Sequence, residues 1–307
     1  MHAVFADPKT DFVFKRIFGA EARKPLLVAL LNHLLELDGE RCIVELQHLP
    51  SDQRVDVPEL KLSIVDVKCT DATGRRFVVE MQVLKVEGFD KRVVYNASKA
   101  YVLQLRNADE YPTLCDVVGV TICNFNLWPD VDKQGRYKVP MLSRWRMQEQ
   151  HSGEKGLAQI QYAFLELPKY SAGSDPKTLV DKWAYFFCEA KNLDVVPPAL
   201  ADKPFQDALE VARTATFSAY EWEAYERAKM AEQDARGALT VARREGREEG
   251  ILKEKRNSVL RLLAARNLVV SDAQRARIEA CTAVATLDAW FDRAIAATTA
   301  DEMFGAS

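Results

Sequence analysis

Two acids stand in the middle of two apolar runs. The stretch LSIVDVKCTDATGRRFVVEMQVL, residues 62–84, carries Asp66 in its first run and Glu80 in its second, with TDATG between them. Asp, Thr and Gly clustered between β-branched runs predict a reversal of the chain, and so a hairpin. Suppose Thr70 lies opposite Arg76. Asp66 then faces Glu80, Ile64 faces Gln82, and Lys68 faces Val78. Side chains alternate across a sheet, so these residues share one face. The other face carries Val65, Val67, Cys69, Val79 and Met81 and reads as core.

Directly opposed carboxylates repel each other, and more so where water is scarce. Something must neutralise them. A nearby Lys or Arg is one solution, since structural ion-pair networks are common. A divalent cation is the other. Magnesium takes oxygen ligands, is often held by one or two carboxylates, and keeps waters for a phosphate substrate. On that reading Asp66 and Glu80 are the metal ligands, and waters on the ion face the phosphate.

The elements that must position this pair follow from periodicity. DPKTDFVFKRIFG, residues 7–19, predicts a short helix with Thr10 or Asp11 as its N-cap. Residues 24–37, with Pro25 near the start and Gly39 just after, predict a largely buried helix. A short strand is expected over 42–49, the hairpin arms over 60–70 and 76–84, and a helix over 90–106. DVVGVTICNF, residues 116–125, is nearly all apolar and predicts a central strand. Further strands are expected over 144–148 and 159–167, and a helix over 176–190.

From about residue 201 the composition shifts to helix formers with alternating charge, predicting a long solvated or coiled-coil helix. Residues 259–304 read as a small helical unit with Leu260, Leu263, Ile278, Leu287, Trp290, Phe291 and Ile295 as its core. The domains expected are therefore an α/β domain over 1–200, with a mixed central sheet flanked by helices, and an all-α tail over 201–307.

Composition narrows the function classes. Lys and Arg total 42 against 45 Asp and Glu, so no global basic field advertises nucleic acid, although a local basic cleft stays open. The six cysteines are scattered without zinc-finger spacing and read mostly as small core residues. The N-terminal residues lack a signal-peptide pattern, and no apolar run reaches membrane-spanning length. The expected compartment is a reducing cytoplasm, with no membrane partner. The four histidines form no metal-binding pattern, and no phosphate-loop, dinucleotide or serine-elbow signature occurs.

The order of pieces adds a resemblance. DFVFKRIFG (11–19), LLVALLNHLLEL (26–37), ELKLSIVDVKCTDATGRRFVVEMQ (59–82), KRVVYNASKAYVLQL (91–105) and YPTLCDVVGVTICNF (111–125) follow one another with the charged, Gly-punctuated EGREEG helix behind them. An aspartate in one arm, E-x-Q in the next, then a helix and an apolar strand resemble the site of PD-(D/E)xK nucleases. More narrowly the chain is similar to the Rpn family of recombination-promoting nucleases, also described as transposases. The resemblance implies a PD-(D/E)xK-like fold, Asp66 as metal-binding aspartate and Glu80 as the acid of the E-x-K element. Gln82 stands where most of that superfamily has the lysine that orients water and stabilises charge; Gln at this place resembles the Rpn branch. Lys68 can supply the missing charge, or simply pair with Asp66 or Glu80.

Other residues carry two readings each. Asp11 offers an acidic contribution to the site against plain N-capping. Glu36 offers a helix-borne acid against an ordinary exposed charge. Lys91, Arg92 and Lys99 offer phosphate contacts against a solvated helix face. Two functions remain: a magnesium-dependent DNA endonuclease linked to recombination or mobile elements, or a nuclease-fold protein acting as a DNA-binding or assembly module. The tail is expected to form a homodimer, because its charged helix has little apolar face of its own.

Overall fold

The computed structural model describes residues 3–53, 63–105 and 109–305. The expected arm residues 60–62 and helix residue 106 lie outside the described residues. Six strands form one mixed sheet in the order β1-β4-β5-β6-β8-β7. They are β1 (Leu46–Leu49), β4 (Val67–Asp71), β5 (Arg76–Gln82), β6 (Val117–Cys123), β7 (Leu142–Trp145) and β8 (Ile160–Glu166). β5, β6 and β8 run parallel, and β1, β4 and β7 pair antiparallel to their neighbours. β2 (Asp52–Gln53) and β3 (Ser63–Ile64) form a separate two-stranded ladder.

The hairpin register is the expected one from Thr70–Arg76 to Val67–Val79, but the ladder ends at that last pair, so Asp66 is not the direct ladder partner of Glu80 that the sequence predicts. Thr70 pairs with Arg76, Lys68 with Val78, and Val67 with Val79. Asp71 builds the turn: its Oδ1 accepts from the N–H groups of Thr73 and Arg75 at 2.9 and 3.1 Å, and Arg75 Nε donates to Oδ2 at 2.8 Å. Gly74 closes it at φ +86, and a Cβ there would lie 2.6 Å from Cys115 Sγ. Both facts demand glycine.

One layer of helices covers the first face of the sheet: α1 (Asp11–Phe18), α2 (Lys24–Leu35), α4 (Leu179–Glu189) and α5 (Phe205–Ala212). Val67, Cys69, Phe77, Val79 and Met81 point into this core, as the alternation predicts. Aromatic rings fill it; Phe18 meets Trp183 edge-on at 5.9 Å and Trp183 meets Phe205 at 4.8 Å. Each such pair adds about 0.5–1.5 kcal/mol beyond area burial. Thr10 takes the N-cap position of α1, so Asp11 is the first helical residue rather than the cap.

The opposite face is covered by α3 (Phe89–Val102), which starts at Gly88 with φ +70 and packs Val93, Ala97 and Ala100 on the sheet. Here two expectations are corrected. Val65 belongs to this cluster with Val78 and Val117, not to the first core. Ile64 pairs with Asp52 in the small ladder instead of facing Gln82. The chain bends at Asp66; on its N-terminal side Val65 N–H donates to Ser51 O at 3.1 Å and the first arm lies outside the main sheet.

The chain divides into two compact units, Met1–Glu232 and Gln233–Ser307. The first reaches past residue 200, where the sequence placed a boundary, because Phe205, Leu209, Phe217 and Tyr225 complete its core. The long helix α6 (Ala219–Ala265) contributes residues to both units. In the second, α7 (Asp272–Ala280), α8 (Val284–Ala296) and α9 (Ala300–Phe304) gather around Val259, Leu263, Ile278, Leu287, Trp290, Ala294 and Met303. Leu260 and Phe291 pack partly against this core, but Ile295, expected inside, is exposed. Among the described residues no helix is long and apolar enough to cross a membrane.

Candidate active site

Asp66 sits at the bend where β4 begins. The β4–β5 ladder stops at Val67 and Val79, so Met81 N–H finds no strand partner in β4. Asp66 Oδ2 accepts that N–H at 2.7 Å and ends the ladder with a side chain. Glu80 lies one residue back on β5, on the face covered by α3, and is almost fully buried. Asn96 of α3 donates a short hydrogen bond to Glu80 Oε1, and Arg92 Nη2 lies 3.9 Å from Glu80 Oε2. Asp66, Glu80 and Gln82 line one cavity of about 730 Å³ together with Arg92 and Asn96. The two acids expected to meet line the same cavity.

The electrostatics are those of crowded anions. Burial pushes the Asp66 carboxyl up to about 7; the Met81 hydrogen bond opposes this, Asp11 raises it further, Lys15 opposes, and Glu80 adds a last upward push. Burial also raises Glu80, against the opposing Asn96 hydrogen bond and Arg92 charge. Two carboxyls held above their ordinary range at a cavity wall favour any cation that enters.

Asp66 also lines a second cleft, of about 1130 Å³, between α1 and the first turns of α6. Lys9, Lys15, Arg16, Arg23 and Arg227 line this cleft beside Asp11, Asp66, Glu221 and Glu232. Lys15 Nζ is 2.6 Å from Asp11 Oδ1 and 3.7 Å from Asp66 Oδ1. Asp11 is thus near the site through Lys15, an i, i+4 neighbour on α1.

Gln82 and Lys68 fare differently. Gln82 Oε1 accepts from Arg92 Nη2 at 2.6 Å, and its Nε2 donates to Leu84 O at 2.7 Å. Lys68 is buried on β4 and lines neither cavity. Burial lowers its pKa, as do Arg76 and Lys99, with Asp52 opposing. Its electrical neighbours are therefore not the two acids. Glu36 pairs with Arg144 at 2.9 Å and stands outside both cavities. Lys99 is buried with its Nζ over the Tyr95 ring, whereas Lys91 lines the acid cavity.

Sequence reasoning passed over Asn96 and Lys15. The signal was present: Arg92 and Asn96 are four residues apart on α3, as are Asp11 and Lys15 on α1, which places each pair on one helix face.

The residues fit a hard divalent cation. Among the described residues no group of three or more His, Cys, Asp or Glu converges to hold a metal. Two carboxylates with water and substrate oxygen completing the shell is the pattern magnesium accepts.

A family model described as PD-(D/E)XK nuclease family transposase matches residues 8–242. No curated protein and no solved structure gives a significant match to the chain. The matched region holds α1, the hairpin with both acids, α3, the whole mixed sheet and the start of α6. The chain belongs to the PD-(D/E)XK nuclease family transposases.

Proposed function

We propose that this chain is a metal-dependent DNA endonuclease serving recombination or mobile-element activity, with Asp66 and Glu80 as ligands of a magnesium or similar divalent ion. The observation that carries the reading is the placement of two carboxyls, Glu80 buried and Asp66 partly buried, both raised above their ordinary range, on one cavity wall. When bound, such an ion polarises the phosphodiester and lowers the pKa of a coordinated water. The protein groups do the rest. Met81 N–H and Asn96 fix the two carboxylates so that little reorganisation is needed. The arginines and lysines of the cleft beside Asp66 attract a phosphate backbone. In the hydrolysis a water oxygen bonds to phosphorus, the bond from phosphorus to one sugar oxygen breaks, and the water proton passes through solvent to that leaving oxygen. Gln82 is part of this wall, and Lys68 is set aside because it lines neither cavity and its charge neighbours are Arg76, Asp52 and Lys99.

The test is incubation of the purified full chain with supercoiled plasmid, with magnesium or with EDTA. Nicking or linearisation is expected only with magnesium. Asp66→Ala and Glu80→Ala are each expected to lose at least about 100-fold in rate, since outer partners of metal ligands alone cost about 10–100-fold. Equal cutting by both variants refutes the assignment.

We also propose that the Gln233–Ser307 unit pairs two copies, which would bring two cutting sites to one duplex. Light scattering of the full chain against a chain ending at Glu232 checks this. A monomeric full chain at high concentration, or a shortened chain that still dimerises, counts against it.

A further inference from the structure

The acid pair has a cation beside it that the sequence motif does not name. Arg92 lies on the first turns of α3, and its side chain reaches over the wall of the acid cavity. Nη2 donates to Gln82 Oε1 at 2.6 Å and lies 3.9 Å from Glu80 Oε2. The Phe89 ring sits under the guanidinium with 5.2 Å between Cζ and the ring centroid. Three groups therefore fix where the charge stands. Yet the side chain is 45% exposed. A guanidinium carries five N–H donors, and the bonds just described engage only one end of it.

Gln82 explains the arrangement. Both ends of its amide are committed, Oε1 to Arg92 and Nε2 to Leu84 O. A glutamine held in this way is poorly placed to present itself to a water. It is well placed to hold an arginine. Of the other cations, Lys91 lines the same cavity but is exposed and, among the described residues, forms no ion pair with either acid. Lys15 is bound to Asp11 at 2.6 Å and lines the neighbouring cleft, not this cavity. Lys68 lines neither.

We propose that Arg92 is the cation that contacts the scissile phosphate, with Gln82 as the bracket that holds its guanidinium at the cavity wall. This rests on the nuclease reading given above. Phosphoryl oxygens gain charge as water attacks, and a planar fork of donors meets two such oxygens at once. A positive group already positioned there stabilises that charge without moving.

The experiment compares the full chain with Arg92→Ala, Arg92→Lys and Asp66→Ala in plasmid cleavage with magnesium. Each is also titrated with a short duplex in calcium over a range of salt. Circular dichroism melting confirms that each variant is folded. Arg92→Ala is expected to slow cleavage by about 100-fold, the usual effect of removing one group that stabilises transition-state charge. Arg92→Lys should recover part of the rate. Guanidinium chloride at a non-denaturing concentration should speed Arg92→Ala by about tenfold and leave Asp66→Ala inactive, since it replaces the missing group only. In the binding arm, Arg92→Ala should lower the salt slope by about one, the mark of one lost phosphate contact.

Cleavage by Arg92→Ala at the wild-type rate overturns the proposal. So does a slowed Arg92→Ala that guanidinium leaves slow, because the arginine then acts only by supporting Glu80 and Gln82. Should the wild-type chain cut nothing, the nuclease reading falls, and the binding arm judges Arg92 alone. A salt slope lowered by about one then supports its phosphate contact, and an unchanged slope removes it.

Discussion

Glu166 and Glu80 stand near the same end of the parallel strands. Glu166 closes β8 in the ladder row that runs through Cys123 to Gln82, the residue two beyond Glu80. Both are buried. Their partners differ. Glu166 Oε1 accepts from Leu127 N–H and Trp128 N–H, and Lys169 Nζ lies 2.5 Å from its other oxygen. Lys169 also donates to Val139 O at 2.8 Å. This anion has a dedicated, equally buried cation and a full set of donors. Glu80 has a neutral amide and a half-exposed arginine, and Asp66 has one backbone N–H and a distant lysine. Between the two regions lies the Cys123 thiol, held well above its ordinary range by burial and then by Glu166 and Glu80. Burial of a carboxylate does not by itself mark a working site. Incomplete neutralisation at a cavity wall is what distinguishes the proposed site from Glu166.

The comparison breaks most visibly at Glu166. Removing one partner of a buried, hydrogen-bonded ion pair costs about 3–5 kcal/mol, because the other charge is left uncompensated. Glu166→Ala should therefore lower the melting temperature by roughly 10 °C for a unit of this size. Replacing Glu166 and Lys169 together by methionine should cost less than either single change. If Glu166→Ala melts like the wild type, the ion pair is not the structural element described.

Asp66 should respond in the opposite sense. The unfolded carboxyl titrates near 3.9, and the folded one at about 7. Below both values the proton is bound in either state, and folding gains nothing. As pH rises between them, the unfolded chain releases the proton first, so stability falls and the loss is complete above about 7. The separation sets a ceiling of about 4 kcal/mol. In metal-free buffer Asp66→Asn should match the wild type near pH 4 and melt above it by pH 8. A wild type more stable than Asp66→Asn at pH 8 would place Asp66 with Glu166 as a structural anion.

Magnesium sharpens the contrast with a smaller effect. A ligand at about 100 times its dissociation constant stabilises the folded state by about 2.7 kcal/mol. Wild type and Arg92→Lys should both gain melting temperature on addition of magnesium, and Asp66→Ala and Glu80→Ala should not. Equal gains in all four would move the ion elsewhere.

Much of this was legible because it depends on local rules. The TDATG turn and the two-residue period set the register, and the register brings Asp66 toward Glu80. The apolar run over β6 needed no tertiary knowledge to read as a central strand. What escaped depends on distant partners. Val65 left its expected face because Ser51 O captures its N–H, and no pattern within the hairpin announces that bond. The N-terminal unit outran residue 200 because Phe205 and Tyr225 fill space beside rings contributed by α1 and α4. Helix-forming composition says that such residues are helical, not what they pack on. Lys68 was chosen by face alone, and Arg92 proved nearer to the acids because α3 crosses that face.

The hydrogen bond from Met81 to Asp66 gives the aspartate a polarity. One oxygen belongs to the backbone, and the other, with Lys15 at 3.7 Å as its nearest cation, faces whatever enters the cavity. An asparagine in the same seat would have to surrender its only oxygen to Met81, turning its two N–H groups toward the interior. A place that welcomes cations would then welcome anions. Asp66→Asn is thus a reversal of the site rather than a silencing of it, and alanine is the cleaner blank.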